Sequence, residues 1–169
     1  MNLDFERKEE INYSIIIPHK NSTVLLERCL KSIPCRKDVQ VIVVDDNSEN
    51  QEELNAVVGG FSQVELILTQ GGGAGHARNE GLKYIRGKWV LFADADDFYN
   101  KNAFSILDNY INSDNDVIYF FANSLDVNTL LPTPREKDLQ NIYEKYDSDN
   151  IRSADYIRFK NWAPWNKMI

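Results

Sequence analysis

Short apolar runs, none long enough to cross a bilayer, alternate along this chain with segments of helical periodicity. This alternation constrains the fold more than any other feature. The runs are "YSIIIP" (Tyr13 to Pro18), "VQVIVV" (Val39 to Val44), "VELILT" (Val64 to Thr69), "KWVLFA" (Lys88 to Ala93) and "DVIYFFANS" (Asp116 to Ser124). The first two are continuous β-branched stretches, as expected of strands covered on both faces. Between them lie "TVLLERCLKSI", "QEELNAVV", the helix entered from "GGGAGHARNEG", and "AFSILDNYI". Strands alternating with helices predict a mostly parallel α/β sheet flanked by helices. Asn21 or Ser22 is the expected cap of the first helix, and Pro34 its stop.

Three runs end in polar groups that do not suit a core. "SIIIPHKN" ends in His19, Lys20 and Asn21, "VIVVDDNS" in Asp45 and Asp46, and "VLFADADD" in Asp94, Asp96 and Asp97. The carboxyl ends of parallel strands share one edge, and ligands bind in the crevice there. Aspartates gathered at that edge repel one another unless a cation or hydrogen-bond donors join them. Their hard oxygens suit magnesium or manganese, which bind through few carboxylates together with phosphates and water. An aspartate after a strand is also commonly a cap or turn former, which is the plainer reading of Asp46 and Asp97. "DAD" after an apolar strand, beside a second acidic strand end, carries the stronger signal.

The glycine-rich loop after the third run adds backbone N–H groups and Arg78 beside the same edge. Such a loop, opening a helix, favours an anion. Arg78 can offer a fork of hydrogen bonds to a phosphate or a planar base. A plain turn with a surface arginine fits the loop as well, and His76 reads as an ordinary solvent-facing histidine.

Together these pieces resemble the family-2 glycosyltransferases, which are inverting enzymes with a GT-A fold. The resemblance is dense from Tyr13 to Asp97 and loose at the terminal "WAPWNKMI". It implies a three-layer, Rossmann-like GT-A fold that takes a nucleoside-diphosphate sugar, often a UDP-sugar, with a divalent metal, manganese or magnesium. Pro18 and His19 would border the nucleoside, and Asp45 or Asp46 would hydrogen-bond the base. Arg78 would sit against the base or diphosphate. Asp94 to Asp96 would form the DxD motif, with Asp96 the direct metal ligand and Asp94 nearer the ribose and sugar. The acceptor would be a saccharide or lipid-linked hydroxyl of a polysaccharide or surface glycan. "PHKN" and "QGGGAG" depart from the family's usual residues at those places.

The general base of such enzymes lies in an acidic motif after a segment like "WNKMI". None of Asp108, Asp116, Asp126 or Asp155 matches it, so the catalytic residue is left unassigned and the expectation is a chain cut short. A nucleotide-binding fragment without turnover is the alternative. A phosphatase of the haloacid dehalogenase type also ends a strand in DxD, but that strand normally comes first. A dinucleotide-binding Rossmann domain would carry its glycines after the first strand, before the acid.

The expected organisation is a polar tail over 1–12, a nucleotide-sugar-binding α/β domain over 13–128, and the start of an acceptor-side region over 129–169. A net charge of −7 argues against nucleic-acid binding. Cys29 and Cys35 lack metal-ligand spacing and read as reduced thiols. The polar start "MNLDFERKEEINY" is unlike a signal peptide. A cytoplasmic protein is expected, with peripheral contact at the inner face of the membrane compatible with the family.

Overall fold

The computed structural model describes residues 10–120, 122–126, 128–148 and 167–169. Among these residues six strands form one sheet in the order β3-β2-β1-β4-β6-β5. They are β1 (Tyr13–His19), β2 (Val39–Asp45), β3 (Val64–Leu68), β4 (Trp89–Phe92), β5 (Ile118–Tyr119) and β6 (Lys167–Met168). The helices are α1 (Thr23–Ser32), α2 (Gln51–Val58), α3 (Gly73–Gly81), α4 (Ala103–Leu107) and α5 (Pro134–Ser148). β1 to β4 pair in parallel, as the alternation predicts, whereas β6 runs antiparallel between β4 and β5.

The period of two in β1, β2 and β4 sorts their side chains onto two cores. Tyr13, Ile15, Ile17, Val41, Val43 and Leu91 pack against Leu26, Cys29 and Leu30 of α1, Leu54 of α2, and Phe104 and Leu107 of α4. Ile16, Ile42, Val44 and Val90 form the opposite, smaller core with Ala77 of α3. Burying a side chain such as Leu26 or Leu54 completely contributes about 2 kcal/mol. β1 is the central strand, covered on both faces, which explains its unbroken isoleucine run.

On the α3 face the approach is close. A Cβ built on Gly81 would stand 2.6 Å from Ile16 Cγ2 and 3.1 Å from Val44 Cγ2. The bare glycine lets the helix sit directly on β1 and β2, and so sets where its other residues reach.

Three local expectations change. The fifth strand is limited to Ile118–Tyr119, because the segment leaves the sheet after one short pairing with β6. The helix expected over "AFSILDNYI" is α-helical for Ala103–Leu107 and continues as a 3-10 turn, Asp108–Tyr110. Ser22 occupies the cap position of α1 without a side-chain cap bond. Asn21, in the left-handed region with φ 51, instead accepts from Glu49 N at 2.9 Å and donates its own N–H to Ser48 Oγ at 2.8 Å. The side chain laces two loops together rather than capping a helix. "WAPWN" lies outside the described residues.

Candidate functional site

The parallel register aligns the polar strand ends. His19 lies opposite Asp45 across β1 and β2. β1 and β4 are paired with Tyr13 opposite Trp89 and Ile16 opposite Phe92, so that register carried forward sets Asp94 level with Pro18. Pro18 itself is half-buried. The sheet therefore brings Pro18, His19, Asp45, Asp46 and Asp94 to one edge, as the sequence predicts.

At that edge the two neighbouring aspartates do different work. Asp45 is 1% exposed. Its carboxylate accepts from Ser48 N at 3.0 Å, Gln51 Nε2 at 2.8 Å, His19 Nδ1 at 3.0 Å and the Ser48 hydroxyl. Burial pushes this acid up, but the bonds from Ser48, Gln51 and His19 outweigh it and hold Asp45 below the usual carboxylate range. His19 is equally enclosed, its ring nitrogens engaged by Asp45 and by Ser22 N–H, which donates to Nε2 at 3.2 Å. An Nε2 that accepts makes Nδ1 the protonated nitrogen. The His19 ring is thus turned into the fold, tying β1 to β2 and to the start of α1.

Asp46 faces the glycine-rich loop. Its two oxygens accept from Gly73 N at 3.0 and 3.1 Å, and Lys20 Nζ lies 3.5 Å away. Gly71, Gly72 and Gly73 all have positive φ, which lets the loop turn its backbone toward this carboxylate. His76, at 45% side-chain exposure, lies 3.6 Å from Glu80. It follows the ordinary reading given to it.

From its first turn at Gly73, α3 crosses to the second acidic end, where the Arg78 guanidinium donates to the Asp94 carboxylate. Arg78 therefore holds an acid of the DxD segment, a contact that spacing alone did not indicate. One carboxylate oxygen each from Asp94, Asp96 and Asp97 lie within 4.8 Å of one another. Oxygen ligands at that separation fit a hard divalent cation. Asp97 is pushed up to about 6, first by burial and then by the charges of Asp96 and Asp94. The smaller part of that shift, owed to Asp96 and Asp94, is repulsion that a cation would relieve. Asp96 is the exposed member.

Arg28, Ser32 and Gln51 belong to this neighbourhood but have no motif to announce them. Arg28 Nη2 donates to the Asp96 carbonyl, and the Ser32 hydroxyl accepts from Tyr99 N at 2.9 Å. Helical spacing could have placed Arg28 and Ser32 one turn apart on α1; nothing local shows what they reach. Beside the acidic loop a cavity of about 310 Å³ is lined by Arg28, Asp96, Phe98, Asn100, Asn123 and Asp126, among others. No helix among the described residues is long and apolar enough to cross a membrane.

Named transferases are among the proteins this chain resembles. The chain is 34% identical over 98 residues to a poly(ribitol-phosphate) beta-glucosyltransferase of Bacillus spizizenii, covering 53% of this chain and 16% of that protein. It is 38% identical over 106 residues to the poly(ribitol-phosphate) beta-N-acetylglucosaminyltransferase TarS of Staphylococcus aureus, covering 55% and 18%. The chain thus spans less than a fifth of either relative's length. A crystal structure of S. aureus TarS 1-349 in complex with UDP-GlcNAc shares the fold, with a TM-score of 0.62 at 24% identity over 93% of this chain and 54% of that one. The GT-A architecture expected from the sequence is therefore present. The family described as Glycosyl transferase family 2 matches residues 14–162, nearly the whole sequence, and the chain belongs to it.

Proposed function

We propose that this chain carries the donor side of an inverting glycosyltransferase that takes a UDP-sugar. The observation that carries the reading is the bridge made by α3. Its amino end meets Asp46 through Gly73 N–H, and its Arg78 meets Asp94, so one helix joins the two acidic strand ends. A nucleotide sugar laid along that edge would have its base near Asp46 and Pro18 and its diphosphate near the DxD segment. Asp46, whose two oxygens share the single Gly73 N–H, keeps acceptor capacity for a ring N–H, whereas Asp45 already accepts from His19, Ser48 and Gln51. The UDP-GlcNAc complex of TarS supports a uridine donor.

Asp96 and Asp97, with Asp94 when Arg78 releases it, would hold magnesium or manganese. Such an ion, when bound, neutralises charge on a diphosphate leaving group. The residues of this chain orient the donor: Asp46, held by the Gly73 N–H, at the base, and Arg78 across the ribose and diphosphate. The acceptor we infer is a hydroxyl of a cell-surface polymer, given the ribitol-phosphate polymers named for the relatives.

Calorimetry of UDP binding with manganese, and again with chelator, tests the reading. Affinity should appear or rise with the ion. Equal affinity in chelator would remove the metal from the proposal, and absence of UDP binding under both conditions would remove the donor.

A further inference from the structure

We propose that Arg28 is a positioning residue, one that holds the acidic loop so that its three carboxylates face a single cation. The inference rests on the metal reading above. Arg28 is 68 residues from Asp96 in sequence, yet its Nη2 donates to the Asp96 carbonyl. Its guanidinium carbon also lies 5.3 Å from the centre of the Phe98 ring. One turn further along the same helix, Ser32 accepts from Tyr99 N at 2.9 Å. α1 therefore grips the loop at Asp96, Phe98 and Tyr99, while Asp97 N closes the turn on Asp94 O at 2.9 Å.

The grip is anchored. Cys29 and Leu30 beside Arg28 are buried in the main core, so α1 cannot roll without opening it. Among the described residues Arg28 Nε is buried without a hydrogen-bond partner, and the guanidinium meets the loop through one nitrogen and one face. A planar fork can bond a carbonyl through one nitrogen while its face stacks on a ring, whereas a lysine ammonium has no face to stack and no rigid fork to fix both contacts. Outer groups that orient metal ligands commonly change metal affinity by about tenfold or more when removed.

This geometry makes a prediction about sign. If Arg28 were merely a nearby positive charge, removing it would tighten cation binding. If it positions the loop, removing it weakens binding, and so does replacing it with lysine. The test titrates manganese into the full chain and reads the free ion by electron paramagnetic resonance, for wild type, Arg28→Lys and Arg28→Met. Thermal midpoints in chelator establish that each variant is folded at the temperature used. The expected result is about a tenfold loss of manganese affinity in both variants. Should Arg28→Met not fold, Arg28→Lys decides alone, since it keeps the charge and most of the stem. Wild-type affinity in the folded variants, or tighter binding by Arg28→Met, overturns the role given to Arg28. A wild type that binds no manganese is a different outcome: it removes the metal reading, and this inference with it.

Discussion

Arg78, in the last turn of α3, donates a hydrogen bond to Asp94, so the first acid of the DxD segment already has a cationic partner within the chain. The two side chains are 19% and 28% exposed, which leaves the pair open to an incoming ligand. Arg78→Gln and Asp94→Asn should each lower stability, and the double variant should lose less than their sum. For a pair this accessible the coupling is about 1 kcal/mol. Urea unfolding of the four proteins checks it, and strict additivity would show that the contact contributes nothing.

Asp96 stands apart because it is exposed at the mouth of the site. Asp96→Ala should remove the manganese-dependent part of UDP binding while moving the thermal midpoint by no more than about 2 °C. Calorimetry and a melting curve on one sample measure both. A large drop in the midpoint would instead mark Asp96 as structural.

His19 and Asp45 predict a pH effect with a definite sign. Asp45 is held below its ordinary value in the folded chain, so the unfolded chain takes up a proton first as pH falls. The contribution is therefore complete above the unfolded carboxylate value of about 3.9 and disappears as pH falls through the folded one. Asp45→Asn should be less stable than wild type at neutral pH, and the gap should narrow below about pH 4. Denaturant midpoints across pH check this; a constant gap would assign the loss to something other than the carboxylate charge. Nitrogen NMR of the His19 ring should find Nδ1 protonated and Nε2 bare.

Gly81 predicts a steric effect. A methyl group there meets Ile16 and Val44, side chains of two central strands that have little room to yield. Gly81→Ala should cost about 1–3 kcal/mol despite the better helix propensity of alanine. Denaturant unfolding measures it, with Gly75→Ala as the comparison, because nothing lies within 4 Å of a Cβ built on Gly75. An equally stable Gly81→Ala would mean that α3 shifts freely on the sheet.

The parallel strands and the two acidic ends were legible because both are local. Apolar runs declare a strand, and a carboxylate directly after one declares the edge. What remained hidden were contacts made over distance. "PHKN" does not say whether His19 faces the crevice or the interior; the ring turns inward because Asp45 is opposite it in register and Ser22 N–H follows three residues later. Arg28 looks like any helical arginine until a loop 68 residues away is laid beside it. The fifth run predicts a longer strand than the structure has because its aromatic residues satisfy strand propensity, while among the described residues the sheet pairs that segment with one short antiparallel neighbour.

The room beside Gly75 also makes the crevice observable. Of the two native thiols, Cys29 is buried and its thiol pushed up to about 12 by that burial, so it will resist alkylation, whereas Cys35 is exposed. Replacing Cys35 with serine and Gly75 with cysteine would leave one reactive sulfur on the first turn of α3. A fluorophore attached there would sit at the amino end of the helix that spans both acidic strand ends, and its emission could follow a nucleotide's arrival in real time.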